Sequence, residues 1–402
     1  MTLRDIPPRD AKAIRILQVI SHFELGGAEK CTFELLRLLD SRAEMGVAAV
    51  LGDDSSEMGR DLTRAAREKG VAIFNGVGLP WKKGGFLAAA WRLRRVVREF
   101  RPDIVHLNTE LPEFTYVLSL FIDKSLRNIP VIRTIHNTVL WSRWKRLGAW
   151  CERKLADTAV VYVSESVRDC FMKWRSDCGL KPVSRHLTIY NPIVVPLIRA
   201  RLLNRRVQER NIRLLFAGRF EFQKGCDLLP EILRRVTVPE NTQLSLSIYG
   251  QGSDEEVLKA LQSSPPRCWN IQIAPPTSNL LELLPDFDIL LFPSRFEGYG
   301  RLAAEAVLVG IPVVAFRLPV LLEIFPSSYP WLVPFDDQDV SGFADVISSL
   351  LTSFEGAQIV VDKAKKMLST KLDPGKTALA YLTFYEQLVY SEKEEKMRSS
   401  AL

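Results

Sequence analysis

Short apolar runs alternate with longer segments of mixed polarity along the chain. The runs predict buried strands and the segments between them predict helices. In the first half the expected strands are Ile14 to Ile20, Val47 to Leu51, Val71 to Phe74, Ile104 to Leu107, Val131 to Ile135, Ala159 to Val163 and Leu187 to Tyr190. A polar, arginine-rich stretch from Arg199 to Asn211 interrupts the pattern and reads as a linker. The pattern then restarts with Arg213 to Ala217, Ser245 to Tyr249, Ile271 to Ala274, Asp288 to Phe292 and Pro312 to Phe316. Near-continuous apolar strands separated by helices mark parallel sheets covered on both faces. The expectation is an α/β chain with two Rossmann-like domains facing a cleft, ligands lying at the carboxyl ends of the strands.

Composition narrows the class. The chain has 402 residues, 47% of them hydrophobic, enough for two cores. Its 54 Lys and Arg exceed its 47 Asp and Glu by 7, which suits an anionic ligand or an anionic membrane surface and does not call for nucleic acid. The six cysteines form no Cys-x-x-Cys pair and no disulfide framework, so they read as reduced thiols. No apolar run approaches the roughly 18 to 20 residues of a spanning helix, and residues 1–12 lack a signal-peptide core. The expected location is therefore cytoplasmic.

Three stretches carry candidate chemistry. FPSRFEGYGRLAAEAVLVGIPVVAF, residues 292–316, sets Glu297 and Glu305 around a glycine turn between a strand and a helix. Gly298 and Gly300 let a ligand approach the backbone, the amides at the helix start favour an anion, and Glu305, one turn in, can accept from vicinal hydroxyls. SHFELGGAEK places Gly26 and Gly27 before a second helix start, and LLFAGRFEFQKGCDLL sets Arg219 and Lys224 on a loop after a buried strand. Each has an ordinary alternative: a common α/β turn, a tight Gly-Gly turn, a solvated pair of cations.

Taken together, in this order, these stretches resemble retaining glycosyltransferase family 4, which has the GT-B fold. The pattern of Glu, seven residues, Glu, then Ala and Gly-Ile-Pro-Val-Val-Ala carries the resemblance, which runs from about Ile14 to about Phe384. It implies an acceptor-binding domain over residues 1–200 and a nucleotide-sugar-binding domain over 201–374. A final helix over 375–402 would return to the first domain. It also implies that Gly26 and Gly27 close over the donor diphosphate, and that Arg219 and Lys224 neutralise it as it departs. Glu297 would orient sugar hydroxyls and Glu305 hold the ribose, with the amides of Gly298, Tyr299 and Gly300 meeting sugar and phosphate.

Of four histidines, His106 and His136 end expected strands of the first domain, where they would face the cleft. His136 matches the family histidine that contacts the donor sugar; His106 reads as structural or as lining the acceptor site. No opposite-face nucleophile of the glycosidase kind is evident, and the family implies a same-face displacement in which the leaving phosphate helps deprotonate the acceptor. A UDP- or GDP-sugar would be the donor substrate, with no cofactor. No metal is implied, since Arg219, Lys224 and a helix N-terminus supply the positive field and Asp336-Asp337 reads as a turn. Three departures stand out: Tyr299 in place of Phe or Leu, Pro275-Pro276 where a Gly turn normally meets the base, and Asn191-Pro192 in place of Asn-Gly.

Residues 86–101 predict an amphipathic helix with Phe86, Ala90, Leu93, Val97 and Phe100 on one face and Trp91, Arg94, Arg95, Arg98 and Arg101 on the flank. With Trp81, Lys82 and Lys83 before it, and the Trp-rich basic stretch from Trp141 to Lys154, it suggests an anionic membrane surface and a lipid-linked or glycan acceptor. A core helix with solvated charges is the competing reading. Two other functions remain on this fold: a sugar-nucleotide epimerase or hydrolase, and a silent partner in a glycan-assembly complex. Arg219, Lys224 and Glu305 are all in place, which favours activity.

Overall fold

A computed structural model describes residues 13–23, 26–39, 42–52, 57–79, 84–142, 144–195, 211–336 and 338–400. Almost all of the expected linker, Arg199 to Asn211, and the cluster Trp81, Lys82 and Lys83 lie outside them; Asn211 opens a strand.

The chain divides into two units. One holds the described residues up to Val163, then Val167–Pro192 and the segment from Pro374; the other holds Ser164–Ser166 and the segment from Ile193 to Asp373. Strands β1 (Ile14–Ile20), β2 (Ala43–Ala49), β3 (Ala72–Phe74), β4 (Ile104–Asn108), β5 (Val131–Ile135), β6 (Ala159–Tyr162) and β7 (His186–Thr188) form a parallel sheet in the order β3-β2-β1-β4-β5-β6-β7. Between them run α1 (Gly27–Leu38), α2 (Glu57–Arg67), α3 (Gly85–Phe100), α4 (Glu110–Ile122), α5 (Lys145–Lys154) and α6 (Glu165–Asp177). The second sheet comprises β8 (Asn211–Ala217), β9 (Gln243–Tyr249), β10 (Trp269–Ala274), β11 (Ile289–Phe292), β12 (Val313–Phe316) and β13 (Leu332–Val333), again parallel, in the order β10-β9-β8-β11-β12-β13. Its helices are α7 (Leu229–Arg235), α8 (Glu255–Ser263), α9 (Leu280–Leu283), α10 (Arg301–Val309), α11 (Pro319–Ile324), α12 (Ser341–Thr352) and α13 (Phe354–Lys371). Each sheet reverses its order once, between β1 and β4 and between β8 and β11. A crevice opens at the carboxyl ends of the strands at such a point.

The last helix, α14 (Pro374–Ser400), belongs to the first unit. Its Tyr381, Phe384, Tyr385, Leu388 and Val389 join the core formed by Ile16, Ile20, Val47, Ile104, Ile132 and Val161. Burial of these apolar side chains drives the docking, and Thr377 adds a hydrogen bond from Oγ1 to the Tyr190 carbonyl, 3.2 Å.

Polar residues interrupt the apolar strands of this unit at a few places, and each is answered by a partner. Arg133 on β5 is fully buried; its guanidinium spans Glu152 with bonds of 2.6 and 3.0 Å, lies 3.5 Å from Glu113, and donates from Nε to Thr158, 2.8 Å. Glu152 also accepts from Arg175, whose Nη2 donates to the Ala156 carbonyl, 2.9 Å. These charges hold α4, α5 and α6 to the sheet, and loss of any one strands the others in a dry interior.

Helix α3 ends at Phe100, with Arg101 in the left-handed region at φ 50°. Of the apolar face its periodicity predicts, Ala90, Leu93, Val97 and Phe100 are buried, joined by Ala89 and Val96, while Phe86 is half-buried. Arg94 and Arg98 on the flank close on the Asp123 carboxylate at 3.1 and 2.7 Å; hydrogen bonds from Ser125, then Arg98, hold that carboxyl down to about 2. Among the described residues no single helix is long and apolar enough to cross a membrane.

Candidate active site

The candidate residues fall into two groups, one in each unit. In the second unit, β8 and β11 are neighbours at the reversal of strand order, so the loops leaving them start side by side. The loop after β8 carries Arg219 and Lys224; the loop after β11 carries Glu297, Gly298, Tyr299 and Gly300. Lys224 Nζ lies 2.5 Å from Glu297 Oε1, both side chains largely shielded from solvent. Arg219 is more open, with Nη1 3.0 Å from Glu221 and Nη2 donating to Gln223 Oε1, 3.1 Å.

Gly300 caps α10 with φ 72°, a left-handed backbone that favours glycine, and a Cβ there would also press on Leu321 Cδ2 at 2.6 Å. The first amides of α10 are thereby left to an anion rather than to a capping side chain. Glu305, one turn in, is buried and accepts from Arg301 Nε at 2.8 Å. Tyr299 is buried too, so the size of its side chain is a matter of packing.

The first unit supplies Gly26, Gly27 and His136. Gly26 precedes α1 with an ordinary φ of −110°, and a Cβ on it would meet only the carboxylate end of the Glu29 side chain, which would have to turn aside. Glu24 and Leu25 lie outside the described residues. His136 follows β5, and its Nε2 reaches Asn108 Oδ1 at 3.4 Å. Burial lowers its pKa to about 4, so at neutral pH the ring is uncharged and can donate or accept but does not bring a positive charge.

His106 does not face a crevice. It sits within β4, nearly fully buried, so the expectation that it lines the acceptor site is corrected to the structural alternative. Its Nδ1 is 2.7 Å from the Tyr385 hydroxyl and 3.1 Å from Gln18 Nε2, and its Nε2 is 2.6 Å from Thr134 Oγ1. Gln18 Nε2 also donates to Tyr385, 3.0 Å, and Gln18 Oε1 accepts from Asn108 Nδ2, 2.8 Å. With Gln18 donating to the tyrosine and the tyrosine to Nδ1, the Nε2 proton belongs to the bond with Thr134. Desolvation, then the nearby His136, lowers the His106 pKa to about 3, which keeps this network neutral. One buried chain thus runs from His136 through Asn108 and Gln18 to α14.

Of the sequence-derived surface residues, Trp91 is 59% exposed with Arg94 5.3 Å over its ring, and Arg95 is exposed. Arg94 and Arg98 are engaged with Asp123 as described. Asp336 Oδ1 accepts from the amides of Gln338 and Asp339 at 2.9 and 3.2 Å, a turn; Asp337 is outside the described residues. Cys226, Asp227 and Asp254 bring potential ligand atoms within 4.8 Å of one another. The Cys226 thiol, however, is pushed up to about 12 by burial and the two carboxylates, and Asp227 is taken by Arg295, so the set works as a hydrogen-bonded cluster.

Sequence reasoning passed over Asn108, Gln18, Gln223, Arg295 and Arg301. Gln18 and Asn108 were detectable as polar residues inside apolar strands; Arg295 and Arg301 lay in plain view within the quoted motif, without a spacing to mark them.

Two parallel Rossmann-like units of this topology are those of the GT-B fold. The glycosyltransferase family 4 model matches residues 25–195 and the glycosyl transferases group 1 model matches residues 211–353, and the chain belongs to this family. It is 27% identical over 277 residues to an uncharacterized 41.2 kDa protein in the cps region of Klebsiella pneumoniae, covering 65% of this chain and 68% of that one. It is 24% identical over 301 residues to the capsular polysaccharide biosynthesis glycosyltransferase CapH of Staphylococcus aureus, covering 73% and 78%. Among solved structures, Anabaena HepE in complex with UDP and glucose superposes with a TM-score of 0.71 at 17% identity, over 95% of this chain and all of that one.

Proposed function

We propose that this glycosyltransferase moves a sugar, with retention of anomeric configuration and without a metal, from a UDP- or GDP-sugar to a glycan or lipid-linked acceptor in cell-surface polysaccharide or glycolipid assembly. The observation that carries this reading is the 2.5 Å pairing of Lys224 with Glu297 beside the open start of α10. A donor diphosphate brings two negative charges to a place where an ammonium and helix amides converge, and Lys224 can exchange its carboxylate partner for the phosphate. Glu297 is then released to accept from sugar hydroxyls, while Glu305 is held by Arg301 at the position for a ribose. Charge neutralisation of the leaving group is where such a transfer makes its largest electrostatic demand. The UDP complex of HepE and the capsular assignment of CapH support the donor class and the pathway.

The acceptor reading rests on the surface of α3, α4 and α5. Trp91, Phe121 and Trp144 are more than half exposed, Phe121 stacks on Trp150 at 5.8 Å, and Lys154 lies 5.9 Å from the Phe121 ring. Aromatic side chains interleaved with Arg and Lys suit the headgroup region of an anionic bilayer, which supports a peripheral attachment on the inner face of the plasma membrane as part of this proposal. The test of the chemistry is an anomeric proton coupling measured by NMR on the product. An α-configured donor should give an α-linkage, and a β-linkage would overturn the retaining assignment.

A further inference from the structure

We infer that Arg295 is a positioning residue for the leaving-group lysine, locking the Lys224 loop to the Glu297 loop through a fork that grips the chain on both sides of Lys224. This inference rests on the proposed donor site and goes beyond it, since Arg295 touches neither sugar nor phosphate in that reading.

The geometry is compact. Arg295 is 9% exposed. Its Nη1 and Nη2 donate to the two carboxylate oxygens of Asp227 at 2.7 and 2.8 Å, and Nη1 also donates to the Phe222 carbonyl at 2.8 Å. Asp227 follows Lys224 by three residues and Phe222 precedes it by two, so a single planar group fixes both ends of the segment that carries the ammonium. The Phe222 ring lies 3.9 Å from the guanidinium carbon and covers it. The backbones are joined as well: the Arg295 amide donates to the Gln223 carbonyl at 2.9 Å, and Gln223 Nε2 donates to the Phe296 carbonyl at 3.1 Å. Between these ties Gly225, at φ 66°, passes so close to Pro293 that a Cβ would stand 2.0 Å from its carbonyl oxygen.

A lysine ammonium on a four-carbon stem is a mobile point charge, and its hold on a phosphate depends on where its Cα is placed. Arg295 supplies that placement, because only a guanidinium can meet a carboxylate in two parallel bonds and a carbonyl at the same time. A lysine at 295 keeps the charge and loses the fork. The consequence is specific to the β-phosphate: the nucleoside and α-phosphate need not feel the change, whereas the group that departs with the diphosphate does.

The experiment compares wild type, Arg295→Lys, Asp227→Asn and Lys224→Ala in binding titrations with UDP and UMP, and with GDP and GMP, together with kcat and KM for the accepted donor. The readout is the ratio of diphosphate to monophosphate affinity. Arg295→Lys and Asp227→Asn should lower that ratio about tenfold, with monophosphate affinity within about twofold of wild type and kcat reduced in step. A merely structural role would weaken diphosphate and monophosphate equally, and an unchanged ratio in both variants overturns the inference. If Arg295→Lys fails to fold, Asp227→Asn, which preserves shape, decides alone. An unchanged ratio in Lys224→Ala, or no binding of either diphosphate by wild type, removes the donor reading and this inference with it. A lowered ratio in Lys224→Ala without one in the other two removes this inference only.

Discussion

His136 and Tyr385 are joined through two intervening side chains, Asn108 and Gln18, in a buried chain of hydrogen bonds that ties the end of β5 to the last helix. The helix that completes the first unit's core is therefore also an anchor for a candidate donor contact. Removing the tyrosine hydroxyl leaves Gln18 and His106 short of a partner in a site closed to water. Tyr385→Phe should cost about 1–3 kcal/mol of stability, read from urea unfolding. A change below about half a kcal/mol would show that the network relaxes without it.

The charge cluster at Arg133 makes a larger demand. Glu152→Ala would leave Arg133 and Arg175 buried without their shared carboxylate, and a loss of about 3–5 kcal/mol is expected. Thermal unfolding of the variant measures it. A midpoint equal to that of the wild type would mean the cluster contributes nothing to holding α5 and α6.

Depressed histidine pKa values fix the sign of a pH dependence. His106 and His136 fall from a free value near 6.5 to about 3 and about 4, so below pH 6.5 the unfolded chain binds protons that the folded chain refuses. Their contribution to stability is complete above about pH 6.5 and is lost progressively as the pH falls toward 4. His136→Gln should accordingly show a shallower decline in unfolding midpoint between pH 6.5 and 4 than wild type. Parallel declines would contradict the lowered value.

Much of this could be read from the sequence. Strands β1 and β5 fall where the apolar runs placed them, because a parallel sheet buried on both faces writes itself as continuous hydrophobic residues. Strand β2 starts earlier than expected, at Ala43, since its early residues include Glu44 and Gly46, which carry no apolar signal; the two-residue β13 is too short to have one. The Lys224 and Glu297 motifs were legible because each sits on a loop after an apolar strand. The role of His106 was not, because a histidine near the end of a strand looks the same in sequence whether it meets a crevice or a tyrosine from a helix 279 residues away. Arg94 and Arg98 read as free surface charge for a similar reason: Asp123 lies well outside the helical periodicity that brought them to notice.

That pairing changes the membrane test. With Arg94 and Arg98 engaged by Asp123, the exposed aromatics carry more of the contact. Trp91→Ser combined with Phe121→Ser should release the protein from anionic vesicles in a flotation assay, and rising salt should weaken wild-type binding as it screens the basic residues. Failure of the wild type to float with anionic vesicles at low salt would end the membrane proposal and leave the transferase intact.

The central claim is that Lys224 meets the leaving diphosphate. Its most direct test is donor consumption by wild type and Lys224→Ala across a panel of UDP- and GDP-sugars in the presence of a chelator, with acceptor supplied as a membrane lipid extract. Wild type should release the nucleoside diphosphate from one donor, and Lys224→Ala should do so at least about a hundredfold more slowly while remaining folded. Equal rates in the two proteins would contradict the account.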